Sequence, residues 1–125
     1  MGLVLFAGDD PTGPDVSWSH SGFHMYRAWL ARAEGLTLSE MRGFGGDRTW
    51  STVTSPLTPL LDHPDDDGVL TVAQCAAMLP RLEAISTGPP PEDDDPEFAR
   101  RVADTRELVT VIRHCLRRNT ELVFG

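Results

Sequence analysis

Lysine is absent from the 125-residue chain. A Walker-type phosphate loop needs a lysine to reach the phosphates, and Schiff-base catalysis needs its amine, so both chemistries are excluded. Positive charge is scarce as well: 11 arginines stand against 19 aspartates and glutamates, a formal net charge of −8. Nucleic-acid recognition rests on clustered cations facing phosphate, which this balance does not supply. An acidic chain suits cations or a basic protein partner instead. No apolar run approaches the roughly 20 residues of a membrane span. The opening MGLVLFAGDDP has no basic segment, and its apolar stretch is too short for a signal peptide. Cysteine is limited to Cys75 and Cys115, read as small buried apolar residues on facing helices. Together these features predict a cytoplasmic protein with reduced thiols and no membrane or nucleic-acid partner. The all-arginine usage, with abundant Ala, Gly, Pro and Asp, is that of a GC-rich bacterial genome.

What is present is enough for a core: 40% of the residues are hydrophobic, which suits one domain over residues 1–125. GLVLFAG (2–8) is short and rich in Val, Leu and Phe, which favours a strand. The C-terminal ELVFG has similar chemistry, so the termini either pair as a small sheet or leave the tail packed on a helix. DDPTGPD (9–15) reads as a loop from its Pro and Gly. A first helix is predicted within 17–35, with Phe23, Tyr26, Leu30 and Ala33 on one face, Ser21 as its cap and Gly35 at its end. Thr37 and Glu40 match a capping box before a short turn. The Gly-rich 42–51 is irregular, and Ser55-Pro56 opens one or two helical turns.

A second helix covers 71–86, with Thr71 and Gln74 as a capping box. Its apolar stripe is Val72, Cys75, Leu79, Leu82 and Ile85, and Pro80 is expected to kink it. Residues 87–96, TGPPPEDDDP, form a stiff, charged internal linker. The third and longest helix follows over 97–119, with Phe98, Val102, Val109, Ile112 and Leu116 inward. The pattern predicts a mainly α fold, a compact bundle of three principal helices. One or two short helical turns and a minor β pairing of the chain termini complete it.

DHPDDDGVLTVAQ (62–74) carries the densest functional signal. With Gly68 at the sharp turn of an EF-hand-like loop, Asp65 and Asp67 take the third and fifth positions and Thr71 the ninth. Both anchors depart from the pattern: His63 opens the loop, and Gln74 stands where a bidentate Glu belongs. Read as a metal site it is degenerate, holding calcium weakly through Asp65, Asp67 and Thr71. The plainer reading is an Asp-Gly turn with Thr71 capping the next helix. A third is an acidic docking patch: residues 63–96 carry eight acids and one Arg, a net of −7, against +2 for residues 97–125.

The other constellations are weaker. His20 and His24 stand four apart near a helix start, a spacing that binds zinc only with further ligands from elsewhere. GFGGD (43–47) lacks the spacing and context of a dinucleotide or phosphate loop. Ser17, Ser19, Ser21, His20 and Asp15 suggest a hydrolase, but no local spacing supplies triad geometry. Trp18, Phe23, Tyr26, Trp29, Phe44 and Trp50 fall within 33 residues. Phe23 and Tyr26 belong to a core face; an exposed Trp beside Arg would instead mark a binding hot spot.

SWSHSGFHMYRAWLARAEG followed by PLLDHPDDDGVLTVAQCAAMLPRLEAI resembles an uncharacterised family of small actinobacterial and phage proteins over about residues 17–86. In that family a Ser-rich aromatic helix precedes an Asp-Gly loop and a helix carrying Cys. Pro64 and Ala73-Gln74 depart from its pattern. The resemblance implies one compact domain and no particular chemistry. The expected function is a non-enzymatic, acidic protein-interaction module, immunity- or inhibitor-like, that docks on a basic partner. Asp65, Asp66 and Asp67 would supply the charge, and Trp18, Trp29 or Trp50 the apolar anchor. The alternative is a weak calcium module, and a small hydrolase ranks third. No cofactor other than that calcium is expected.

Overall fold

The computed structural model describes residues 2–62, 68–87 and 96–125. It is a mixed α/β fold rather than the mainly α bundle that helical periodicity predicts. Four strands, β1 (Gly2–Ala7), β2 (Asp10–Ser19), β3 (Gly68–Leu70) and β4 (Leu122–Phe124), form one antiparallel sheet in the order β2-β1-β4-β3. Four helices accompany it: α1 (His20–Ala33), the short α2 (Thr58–Leu61), α3 (Val72–Thr87) and α4 (Pro96–Arg118). Three-residue 3-10 turns lie at Leu38–Glu40 and Trp50–Thr52.

The largest correction is β2. The segment 9–15, read as a loop from its Pro and Gly, enters a ten-residue strand that runs on through Ser19. Val16 and Trp18 are buried while Asp15, Ser17 and Ser19 are exposed, the period-two pattern of a half-covered strand. Pro11 and Pro14 fit because β2 is an edge strand, where a missing N–H need not break the ladder. A register shift between Phe6 and Ala7 absorbs the irregular stretch. Helix α1 therefore starts at His20, and its cap is Ser19, not Ser21: Ser19 Oγ accepts from Gly22 N at 3.0 Å.

The chain termini do pair, but as the centre of the sheet. Gly125 and Val4 exchange backbone bonds of 2.9 and 3.0 Å, and Leu5, Phe6 and Ala7 lie opposite Phe124, Val123 and Leu122. The turn out of α4 makes this possible. Asn119 adopts φ +52°, and Thr120 N bonds to Cys115 O at 3.0 Å, so the chain reverses directly into β4. Gly35 ends α1 in the same way, with φ +78° and Leu36 N on Ala31 O at 2.8 Å.

One face of the sheet presents Leu3, Leu5, Ala7, Val16, Trp18, Leu70, Leu122 and Phe124, all buried. Helices α1 and α4 lie against β1 and β2 on that face, and α3 packs on α4. The inward stripe of α3 runs through Cys75, Met78, Leu82 and Ser86; that of α4 includes Val102, Thr105, Leu108, Val109, Val111, Ile112 and Cys115. The Thr71–Gln74 capping box forms reciprocally, at 2.9 and 3.2 Å, whereas the Thr37 side chain makes no cap bond. Arg27 is buried between the rings of Phe23 and Phe44, 4.6 and 5.1 Å from their centroids, and donates to Leu61 O. It ties the Gly-rich loop to α1. Of the predicted linker 87–96, only Thr87, closing α3, and Pro96, opening α4, lie among the described residues.

Candidate functional site

The sheet has a second face. Because side chains alternate across a strand, Val4 and Phe6 on β1, Val123 on β4 and Val69 on β3 point away from the helices. Phe6, Val123 and Val69 are cross-strand neighbours, forming a row over three strands with Val4 beside it. Val4, Phe6 and Val123 are half-buried, and Val69 is 42% exposed, one of two large hydrophobic residues open to solvent among those described. Exposed acids bracket the row: Asp15 stands opposite Phe6 on β2, and Glu121 lies two residues before Val123. Exposed Ser17 stands opposite Val4.

A groove lies at the free edge of β2, on the side of α4. Pro14, Asp15, Val16 and Ser17 form one wall and Glu107 and Thr110 of α4 the other, around a shallow space of about 300 Å³. Side-chain ties fix the two walls. Trp18 Nε1 donates to Asp104 at 3.2 Å, with Arg101 3.7 Å from the same carboxylate. Ten residues further along α4, His114 Nε2 lies 2.9 Å from Asp10 Oδ2 at the other end of β2. That hydrogen bond holds the Asp10 carboxyl below its usual range, and the nearby Arg118 adds to the effect. Helix α4 thus runs antiparallel along β2 and is pinned at both ends.

Beneath the groove lies a buried polar chain. Thr105 Oγ1 donates to Arg101 O at 2.8 Å, so it accepts from Tyr26 OH at 2.7 Å. Burial pushes the Tyr26 phenol up, well away from neutral pH. The Tyr26 ring stacks on Trp18 at 4.9 Å, which supports β2 from inside.

The three indoles named by the sequence sit differently. Trp18 is in the core, 9% exposed. Trp29 is half-buried, with its ring 6.2 Å from Tyr26 and 6.0 Å from Phe98. Trp50 is half-buried in a separate group, edge-on to Phe44 at 6.0 Å, with its Nε1 on Arg42 O at 3.0 Å. His63, Asp65, Asp66 and Asp67 lie outside the described residues. Thr71 is engaged as the cap of α3. Gly68, with φ +110°, is the first residue of β3. His20 and His24 are both exposed, and His24 stacks on Phe44 at 6.1 Å. Among the described residues no group of three or more His, Cys, Asp or Glu comes together as a metal site.

The serine cluster serves the backbone: Ser19 caps α1 and lies 3.4 Å from Ser21. The Asp10–His114 pair, invisible to local spacing, is an acid–base couple; among the described residues no hydroxyl or thiol is hydrogen-bonded to that imidazole. Both thiols are free and buried; burial pushes Cys75 up to about 11 and Cys115 in the same direction. Among the described residues no helix is long and apolar enough to cross a membrane. Sequence reading missed the open face and the groove. Their signal is the unbroken apolar run LVLF, which makes both faces of β1 apolar, and the alternation in DVSWS, obscured by the prolines and glycine that precede it. No family model, curated protein or solved structure matches the chain, so its functional reading rests on this geometry alone.

Proposed function

We propose that the chain is a non-enzymatic, acidic protein-interaction module that docks on a basic partner, as an immunity protein or inhibitor would. The observation that carries this reading is the open sheet face, with Val4, Phe6, Val69 and Val123 side by side between Asp15 and Glu121. An apolar patch rimmed by charge is the usual make-up of a recognition surface. The formal charge of −8 gives the partner its sign, and Asp65, Asp66 and Asp67 immediately precede β3 in the sequence. Charge of this kind speeds encounter, while apolar contact slows release. Trp29 and Trp50, both half-buried, are the indoles available as further anchors; Trp18 supports β2 from within. We place the module in the cytoplasm, in keeping with its two free thiols.

Binding kinetics of a partner captured from the native host test the reading. Asp65, Asp66 and Asp67 changed together to Asn should slow association, and Val69→Ser or Trp29→Ala should speed dissociation, all with the fold intact. An association rate indifferent to the Asp changes and to salt would reject it. A second reading, weak calcium binding through Asp65, Asp67 and Thr71, draws on the positive φ of Gly68 and the strand that it opens. Calcium would then raise the melting temperature only at about millimolar concentration, and Asp65→Ala with Asp67→Ala would abolish the rise.

A further inference from the structure

We infer that the free edge of β2, with the groove it forms against α4, accepts an extended segment of a basic partner as a fifth strand of the sheet. The inference rests on the acidic-module reading for the partner's charge and adds the partner's conformation and its place of attachment.

The backbone register supplies the first argument. Val4 exchanges both its hydrogen bonds with Gly125, and Gly8 N bonds to Glu121 O, so the even positions of β1 turn their polar groups toward β4. The odd positions, Leu3 and Leu5, therefore turn theirs toward β2, where they face Trp18 and Val16. It follows that Asp15 and Ser17, between and beside these, direct their N–H and C=O away from the sheet. Both residues are exposed, and among the described residues nothing pairs with this edge. An unpaired edge is a template for strand addition. Pro11 and Pro14 restrict pairing in the first half of β2 and leave the stretch from Asp15 onward open.

Charge supplies the second argument. A strand laid along Asp15–Ser17 places alternate side chains on opposite faces. One set lies beside the Asp15 side chain on the outer face. The other lies on the α4 side, where Glu107 and Thr110 line the groove. Both sets meet a carboxylate, so cationic side chains fit on either face. A second copy of this chain is the poorer occupant, because it brings another Asp15 edge and a second body of formal charge −8.

The test uses a capped synthetic peptide of alternating Arg and Val, its Glu and Val counterpart, and an Arg and Val peptide N-methylated on the amides that would face β2. Ser17→Pro is the matching protein variant. The Ser17 N–H points outward, so a proline there removes an edge donor without costing a bond to β1. The expected result is saturable binding of the Arg–Val peptide, with slowed hydrogen exchange at the Asp15 and Ser17 amides. N-methylation of the peptide should weaken binding at least about tenfold, the loss of two or three backbone hydrogen bonds, and Ser17→Pro, which removes one donor, should weaken it about fivefold. The N-methylated peptide leaves the protein untouched, so the test does not depend on the variant folding. Undiminished binding after both changes would overturn strand pairing and leave the acidic-module reading standing. Equal binding of the Glu–Val peptide would overturn the proposal and that reading with it. A dimer in sedimentation that Ser17→Pro converts to monomer would make a second copy the occupant and overturn the choice of partner.

Discussion

Thr105→Val removes one hydroxyl from the interior and strands another. In the native fold Tyr26 and Thr105 are both fully buried, 2.7 Å apart, and the Thr105 hydrogen is committed to Arg101 O at 2.8 Å. Tyr26 must therefore donate and Thr105 accept. With valine at 105 the Tyr26 hydroxyl keeps its burial and loses its only hydrogen-bonding partner among the described residues, a loss of about 1–3 kcal/mol. The Arg101 carbonyl loses little, since it still accepts the helical N–H of residue 105. Tyr26→Phe removes the donor itself. Thr105 keeps its bond to Arg101, and only one net hydrogen bond disappears, about 1 kcal/mol. The expected order is thus Thr105→Val worse than Tyr26→Phe, with the double variant less destabilised than the sum of the two. Urea unfolding followed by tryptophan fluorescence reads all three, since Trp18 stacks on Tyr26. At roughly 3–6 °C per kcal/mol for a chain of this size, thermal melts resolve the same order. Tyr26→Phe costing as much as Thr105→Val, or additive losses, would refute the assignment of donor and acceptor.

The thiols of Cys75 and Cys115, raised by burial, should resist a thiol reagent at neutral pH and react only on unfolding; prompt labelling of either would contradict the packing. The Asp10 carboxyl is held low chiefly by its His114 hydrogen bond, so its contribution to stability is complete above the ordinary Asp range and is lost as pH falls through the lowered native value. Acid titrations should therefore show a shallower loss of stability in Asp10→Asn than in the wild type; identical acid limbs would remove the tie. Gly46→Ala would set a methyl against the Glu40 backbone carbonyl, so the loop must shift and release Phe44 from His24 and Arg27. A loss of about 1–3 kcal/mol is expected, and an unchanged melt would show that the loop yields freely.

Local signals read well from the sequence where they act within a few residues. The capping box before α3, the glycine ending α1 and most of the apolar stripe of α4 depend on neighbours three or four positions away; on α3, by contrast, Met78 and Ser86 are buried with Cys75 and Leu82, while Val72, Leu79 and Ile85 of the expected stripe are only half-buried. The termini carried the right chemistry for strands, and both became strands. The failure lay in β2, where Pro11, Gly13 and Pro14 satisfy every local test for a loop. Their tolerance in a strand depends on β2 lying at the edge, and strand order is non-local information. The same limit hid the candidate site. Phe6, Val69 and Val123 come together through register alone, and Asp10 meets His114 across 104 positions. Trp18 falls in DVSWS, five residues whose alternation is too short to outweigh the helix that follows.

The association rate of the Arg–Val peptide, measured as salt rises, tests the basic-partner reading most directly. The screening length shrinks from about 10 Å at 0.1 M to about 3 Å at 1 M. Attraction between a cationic strand and a chain of formal charge −8 should weaken over that range, so the association rate should fall steeply while the dissociation rate changes little. An association rate that stays constant across the range would contradict the reading.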